Sequence, residues 1–302
     1  MRRNKTEDEL TRVAGLRRDP TSPATAKALT EILAKGGSFA VAAAAALITD
    51  ESLDALAPLL APAYRRFVDD GARRDPGCKA KTELVRALGR LGRDETEVFF
   101  SAARLVQKEA SWGPPVDTAA SLRAHGGAGL AGMGHPDAAA ELAGLLADPE
   151  PVARAGAANA LSRVPVEVAL PLLLHKLLVG DKSPEVMGEA YRTILAMSPG
   201  RGLELAGAAL DGEDRELADQ AALALGDSRD PKALARLIEH CDAALPRERR
   251  IPLMAIALSR LDAGLDYLLA ALRKGDKLTS QSARDALAVY KDDPRIAAAL
   301  RE

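Results

Sequence analysis

Residues 127–132 read GAGLAG, a literal G-x-G-x-x-G. In a dinucleotide site such glycines follow a strand and open a helix, so that backbone N–H groups meet a pyrophosphate. Here the preceding TAASLRAH is helical by composition, and the glycines fall late in that helix. They read instead as small residues that allow another helix to come close. No G-x-x-x-x-G-K-[ST] occurs. The four histidines, His125, His135, His175 and His240, form neither H-E-x-x-H nor an i, i+4 pair. His240-Cys241-Asp242 is contiguous on a predicted helix, where adjacent side chains point about 100° apart and cannot readily hold one ion together. No metal and no cofactor is expected, and no local motif assembles a nucleophile, a base and an orienting group.

Three charged or aromatic features remain. The stretch 72–93, ARRDPGCKAKTELVRALGRLGR, is locally basic. In it Arg86, Arg90 and Arg93 follow an i, i+4, i+7 spacing, read as a solvated helix face or as a patch for phosphate or an acidic partner. The pairs Asp75/Lys81, Asp117/Arg123 and Asp148/Arg154 share a six-residue offset. The offset suggests a ladder of caps and ion pairs between neighbouring units, with each exposed pair worth only about 0–1 kcal/mol. Trp112, the one tryptophan, lies in EASWGPPVDTAASLR (109–123). It is expected to pack against the helices as a hydrophobic staple. The alternative is a loop that reaches a ligand.

The elements that would position these residues are helices. The chain has 302 residues, of which 47% are hydrophobic but only 3% aromatic, so its apolar content is mainly Ala, Leu and Val. Ala and Leu favour helix. A net charge of −2 argues against a global drive toward nucleic acid or anionic membrane, and the scarcity of aromatics argues against base stacking. Cys78 and Cys241 are too far apart in sequence for a zinc or disulfide framework, which suggests a reducing cytoplasm. The N-terminal MRRNKTEDEL lacks an apolar region, so it does not read as a signal peptide. The longest apolar run, FAVAAAAALI (39–48), is half the roughly twenty residues a membrane span requires.

The pairs belong to a repeated phrase. Take Asp148 as position zero: a small residue falls at +5 (Ala153), a basic one at +6 (Arg154), Ala at +9, +10 and +12, and Leu161 at +13. The same template fits from Asp117, Asp75, Asp181 and Gly212, with weaker copies ending at Leu47, Leu258 and Leu287. The +13 positions are then Leu47, Leu88, Leu130, Leu161, Ile194, Leu225, Leu258 and Leu287. Over much of the chain their spacing is near 31–33 residues, the mark of a stacked-repeat protein. Met187, Ala218, Ile251 and Ser280 take the basic slot in later units, so the charged ladder is expected to stop there. Each unit reads as two helices, the first carrying the template and the second Leu-rich, as in VEVALPLLLHKLLVGD (166–181). Asp148 is placed to cap the first helix, with Pro149 in its first turn.

Asp148-Pro149, Arg154, Ala157-Ala158, Ala160-Leu161, Leu170-Pro171 and Leu173-Leu174 together resemble the HEAT repeat, more closely the HEAT-like subtype first associated with bilin lyases. The resemblance implies an all-α solenoid, a superhelical stack of about seven or eight antiparallel helix pairs. The expected organisation is a single domain over 1–302. It comprises an N-terminal cap (1–19), longer irregular repeats (20–115), regular repeats (116–276) and a C-terminal cap (277–302). The resemblance also implies that the second helices line the concave face. Polar positions there for binding a partner are Arg104, Lys108, His175, Lys176, Arg236, Glu239, His240, Asp266, Tyr267 and Arg273, with Trp112 beside them. The expected function is a non-catalytic scaffold or adaptor whose partner is another protein. One alternative is a bilin-lyase-like or chaperone-type protein acting on a partner protein. A second is a nucleic-acid binder or a relative of the HEAT-like DNA glycosylases.

The template makes Leu161 a core residue. Leu161→Ala should cost roughly 2–5 kcal/mol, and Leu161→Asp, which buries an unpaired carboxylate, should be severely destabilising. Thermal unfolding checks both.

Overall fold

The computed structural model describes residues 5–69 and 71–301; residues 1–4 and 302 of the expected caps lie outside it. The contacts divide the chain into two compact units, Met1–Ala169 and Leu170–Glu302. In the first unit the helices are α1 (Lys5–Leu16), α2 (Pro23–Lys35), α3 (Ser38–Asp50), α4 (Leu60–Val68), the single turn α5 (Gly71–Arg74), α6 (Lys79–Arg90), α7 (Thr96–Arg104), α8 (Ala120–Gly132), α9 (Ala138–Leu145) and α10 (Pro151–Ala160). Between α7 and α8 lies a short antiparallel hairpin, β1 (Lys108–Glu109) and β2 (Val116–Asp117), with Lys108 opposite Asp117 and Glu109 opposite Val116. Helix α11 (Val166–Val179) carries the boundary. The second unit holds α12 (Pro184–Met197), α13 (Pro199–Leu210), α14 (Arg215–Asp227), α15 (Pro231–Ala243), α16 (Arg250–Leu258), α17 (Asp262–Lys274), α18 (Lys277–Leu287) and α19 (Pro294–Arg301).

Within each unit the first helices stack in series. Helix α3 packs on α6, α6 on α8 and α8 on α10; in the second unit α12 packs on α14, α14 on α16 and α16 on α18. The second helices form a parallel layer: α4 touches α2 and α7, and α15 touches α13. Each unit is therefore a layered stack of helix pairs, the construction of an α-solenoid.

Burial follows the template closely. From Asp117, the residues Leu122, Arg123, Gly126, Gly127, Gly129 and Leu130 are all buried, and Leu161 is fully buried after Ala157, Ala158 and Ala160. Two copies sit in a different register from the one the sequence suggests. Leu258 is 38% exposed, whereas Pro252, Leu253, Ala255 and Ile256 are buried. Ile256 thus holds the +13 place, 31 residues after Leu225 and 31 before Leu287. At the N-terminal end Phe39 is 45% exposed while Ala40, Val41, Ala44, Ala45, Leu47 and Ile48 are fully buried, so Ile48 rather than Leu47 ends that copy. Apolar residues occupy both candidate positions in each case, and only the direction of the helix face separates them. Pro149 precedes α10; Pro151 takes its first position.

The GAGLAG glycines lie inside α8 and serve packing. A Cβ at Gly126 would sit 2.8 Å from the Phe99 carbonyl oxygen, and one at Gly129 would enter the Phe99 ring. One at Gly127 would come within 2.8–2.9 Å of Leu142 and Leu145. Gly129→Ala should therefore destabilise by about 1–3 kcal/mol through overpacking. Gly89→Ala, where a Cβ meets nothing within 4 Å, should stabilise by about 0.5–1 kcal/mol. Denaturant titration of the two variants against the parent protein reads both signs.

Candidate functional site

Two of the charged pairs, Asp75/Lys81 and Asp117/Arg123, are not surface features. Asp75 and Lys81 are fully buried, with Lys81 Nζ 3.0 Å from Asp75 Oδ2, and the Asp75 carboxylate also accepts from the backbone N–H groups of Ala80 and Lys81. Lys81, within the locally basic stretch 72–93, also donates inward to the Phe67 carbonyl at 3.3 Å. Arg123 is likewise buried. Its guanidinium donates to Asp117 Oδ2 (2.8 Å) within its own repeat, to the Leu105 carbonyl (2.9 Å), and by two bonds to Asp148 of the next repeat (2.7 and 2.8 Å). Arg154 then donates to the Asp148 carbonyl at 2.7 Å. The expected ladder between units is present here, but it is interior, so the exposed-pair magnitude does not apply.

The ladder stops at Met187 and Ala218, as the sequence register suggested, but a cation returns to the slot in the following repeat. With Ile256 at +13, Arg249 and not Ile251 falls in the basic slot. Arg249 donates to the Ala244 carbonyl (3.0 Å) and the Asp242 carbonyl (3.2 Å), and its Nη1 lies 3.5 Å from Thr279 Oγ1 of the following repeat.

In the first unit the same network pins the hairpin. Gln107 is buried between repeats: its N–H donates to Asp117 and its amide donates to the Asp75 carbonyl (3.0 Å) and to Glu109 Oε1 (2.7 Å). Glu109 Oε1 also accepts from the Gly77 N–H and the Thr118 hydroxyl, each at 2.7 Å. Burial alone would raise the Glu109 carboxyl, but the donors from Thr118, Gln107 and Gly77 hold it below its usual value. Cys78 beside this cradle is pushed up to about 11 by burial, against the opposing influence of Lys81, so its thiol stays protonated and inert.

Beyond Glu109 the hairpin is exposed. Trp112 is 110% exposed, so it is not a staple against the helices, and Val106 and Val116 are 59% and 51% exposed. Ala110, Ser111, Gly113, Pro114 and Pro115 are exposed as well. The Ser111 hydroxyl donates to the Pro114 carbonyl and accepts from the Gly113 N–H, which closes the tip. A two-residue strand is too short to show alternation, and the Gly-Pro-Pro run reads as a turn in any context. The hairpin was therefore not visible in the sequence, although the long interval that houses it was.

The other candidate residues are dispersed. Lys108 lies in β1 rather than on a second helix, because α7 ends at Arg104. Arg104 stacks 4.8 Å from the Phe100 ring centre and pairs with Glu141 of α9, and this pairing raises its already high proton affinity. His175 is exposed, and Lys176 pairs with Asp181 at 2.6 Å. Arg236 bridges Asp211 of α13 (2.7 Å) and its neighbour Glu239 (2.9 Å). The Tyr267 hydroxyl donates to Asp242 of α15 at 2.7 Å, while Asp266 and Arg273 are exposed and His240 is half-buried. Of the proposed anion patch, Arg86 is tied to Glu83 and Arg90 lies 3.9 Å from Asp50. Arg93 is off the helix altogether, because Gly92 at φ 60° ends α6. The carboxylates that partner Arg104, Arg236 and the Tyr267 hydroxyl, namely Glu141, Asp211 and Asp242, had no local signal; their pairing is set by stacking between repeats. Among the described residues no group of three His, Cys, Asp or Glu side chains could hold a metal ion, and no helix is long and apolar enough to cross a membrane.

These stacks define an α-solenoid class of protein. The family described as HEAT repeats matches residues 116–177, the segment from the hairpin's second strand into α11, and upholds there the resemblance read from the template. No curated protein sequence matches the chain. Among solved structures it is similar to the CpcE–CpcF complex of phycocyanin lyase from Nostoc sp. PCC7120, at 16% identity over 74% of this chain and 88% of that one, TM-score 0.41. It is also similar to YibA of Escherichia coli, at 16% identity over 95% and 98%, TM-score 0.44. A third is human deoxyhypusine hydroxylase, at 16% identity over 95% and 98%, TM-score 0.33.

Removing the central cation tests the network. Arg123→Met would strand two buried carboxylates and should cost about 3–5 kcal/mol in denaturant unfolding. Asp117 gives the pH dependence. Burial would raise its carboxyl, but the N–H groups of Ala119 and Gln107 and the Arg123 guanidinium hold it below 3.8. Its contribution is therefore complete above its unfolded value and is lost as pH falls through the lower folded value. Asp117→Asn should flatten the acid limb of the stability–pH curve.

Proposed function

We propose that this protein is a non-catalytic scaffold that binds another protein, and that the hairpin tip at Trp112 is its anchor. The observation that carries this reading is a fully exposed tryptophan on a short hairpin whose base is fixed by buried hydrogen bonds. Tryptophan is enriched among the residues that dominate binding energy at protein interfaces. A rigid base also reduces the ordering cost of docking it. Exposed apolar residues gathered on one hairpin, here Val106, Trp112, Pro114, Pro115 and Val116, are the kind of surface that marks interaction sites. The second-helix surface around Arg104, Arg236 and Tyr267 supplies further polar positions, where most charges are already matched between repeats and could add specificity more than affinity.

Affinity capture from the native cell extract, with the parent protein and two variants as bait, tests the reading. Trp112→Ala should lose a reproducible partner while its unfolding midpoint stays within about 0.5 kcal/mol of the parent, as expected for a surface change. Arg236→Glu should weaken capture less. Equal recovery of the partner by Trp112→Ala would overturn the assignment of the anchor.

A further inference from the structure

The first unit carries a socket that matches its own finger. Between α4 and α7 lies an open cavity of about 330 Å³, lined by Tyr64, Val68 and Val98 and rimmed by Arg65, Asp69 and Glu97. Neither carboxylate is in an ion pair among the described residues, whereas Arg65 on the same rim is matched by Glu95 at 3.7 Å, so the rim is negative on balance. At the floor the buried Tyr64 hydroxyl is satisfied by Ser101 Oγ at 3.0 Å. The cavity thus offers an apolar wall at Val68, a satisfied floor and a rim of net negative charge. The hairpin has the complementary pattern. From Ala110 to Val116 it holds no charged residue, Trp112 is fully exposed, and cations stand at its base. Lys108 is in β1 itself, and Lys79 flanks Gly77, whose N–H is bound by Glu109.

We propose that Trp112 of one copy docks into the α4–α7 socket of a second copy, with Lys108 and Lys79 facing Asp69 and Glu97. This inference rests on the reading of Trp112 as a protein anchor and names its partner. Charge complementarity is what selects a second copy: an apolar knob with a positive collar meets an apolar socket with a negative rim. Knob and socket are different surfaces, so the contact is heterologous and each copy can both give and receive, which produces a ring or an open chain. A single finger in a single socket falls below the area of a standard stable interface, so the assembly is weak and depends on concentration.

Sedimentation velocity over about a hundredfold range of concentration tests this with three proteins. The parent should grow in mass with concentration, with a blue shift of its sole tryptophan's emission. Trp112→Ala, and separately the double variant Asp69→Lys with Glu97→Lys, should each associate at least about tenfold more weakly. Both changes are at exposed positions, and far-UV circular dichroism confirms folding. Mixed together, the two variants should form a heterodimer and go no further, because one retains only the socket and the other only the finger. A parent that stays monomeric with unshifted emission, or assembly that persists in Trp112→Ala, overturns the proposal. If the parent is monomeric but Trp112→Ala still loses a captured protein, the self-docking inference fails and the scaffold reading stands. If the chain self-docks but Trp112→Ala captures the same proteins as the parent, the reverse holds.

Discussion

The guanidinium of Arg123, buried between the carboxylates of Asp117 and Asp148, ties three consecutive layers of the first unit together. A planar cation with five donors can satisfy its own repeat's aspartate, the next repeat's aspartate and a carbonyl of the connection from the preceding repeat at once. Because all these groups are out of water, a shift of one layer against another would leave a buried charge unmatched, which is far more costly than a lost surface pair. Apolar Ala and Leu faces can slide over one another with little penalty; this cation cannot. The alanine and glycine faces bring the helices close, and the polar chain from Lys81 through Asp75, Gln107 and Asp117 to Arg123 sets their register.

The same chain accounts for the hairpin. Gln107 and Glu109 look inward to the turn at Gly77, and Thr118 closes the cradle from the other strand. An insertion with only two paired residues per strand could not hold its shape alone. Its geometry is borrowed from the repeat interior, so the exposed tip is positioned by groups that are themselves hidden. Surface display and core polarity are parts of one arrangement in this unit.

Much of the fold was legible because the repeat writes the same burial pattern again and again. Small residues at +9, +10 and +12, with Leu or Ile at +13, point to one face wherever the phrase is intact, as at Leu130 and Leu161. The reading slipped by one residue at Leu47 and by two at Leu258, where apolar residues are so dense that several faces satisfy the same spacing. Arg249 was missed for that reason alone. The six-residue Asp-to-basic offset revealed the charged ladder but not its burial, because spacing carries no information on depth. Lys81 and Lys79 look alike in sequence, yet Lys81 is enclosed and Lys79 is exposed. The candidate site was the least legible part: the exposure of Trp112 follows from hydrogen bonds made by Gln107 and Glu109, residues with no motif of their own.

Helix α8 carries glycine at 126, 127, 129 and 132, and each such residue in a helix interior costs roughly 1 kcal/mol relative to alanine. Taken alone, this segment is a poor helix, yet it touches α6, α7, α9 and α10. Its helicity is therefore conferred by its neighbours. Local fraying of α8 is coupled to separation of the layers on either side, so its amide hydrogens have no cheap route to solvent. During synthesis the segment gains its full support only after α10 has left the ribosome. The residues that most resemble a nucleotide-binding loop thus make the centre of the first unit cooperative: α8 is weak as an isolated element and becomes a shared joint once the stack has formed.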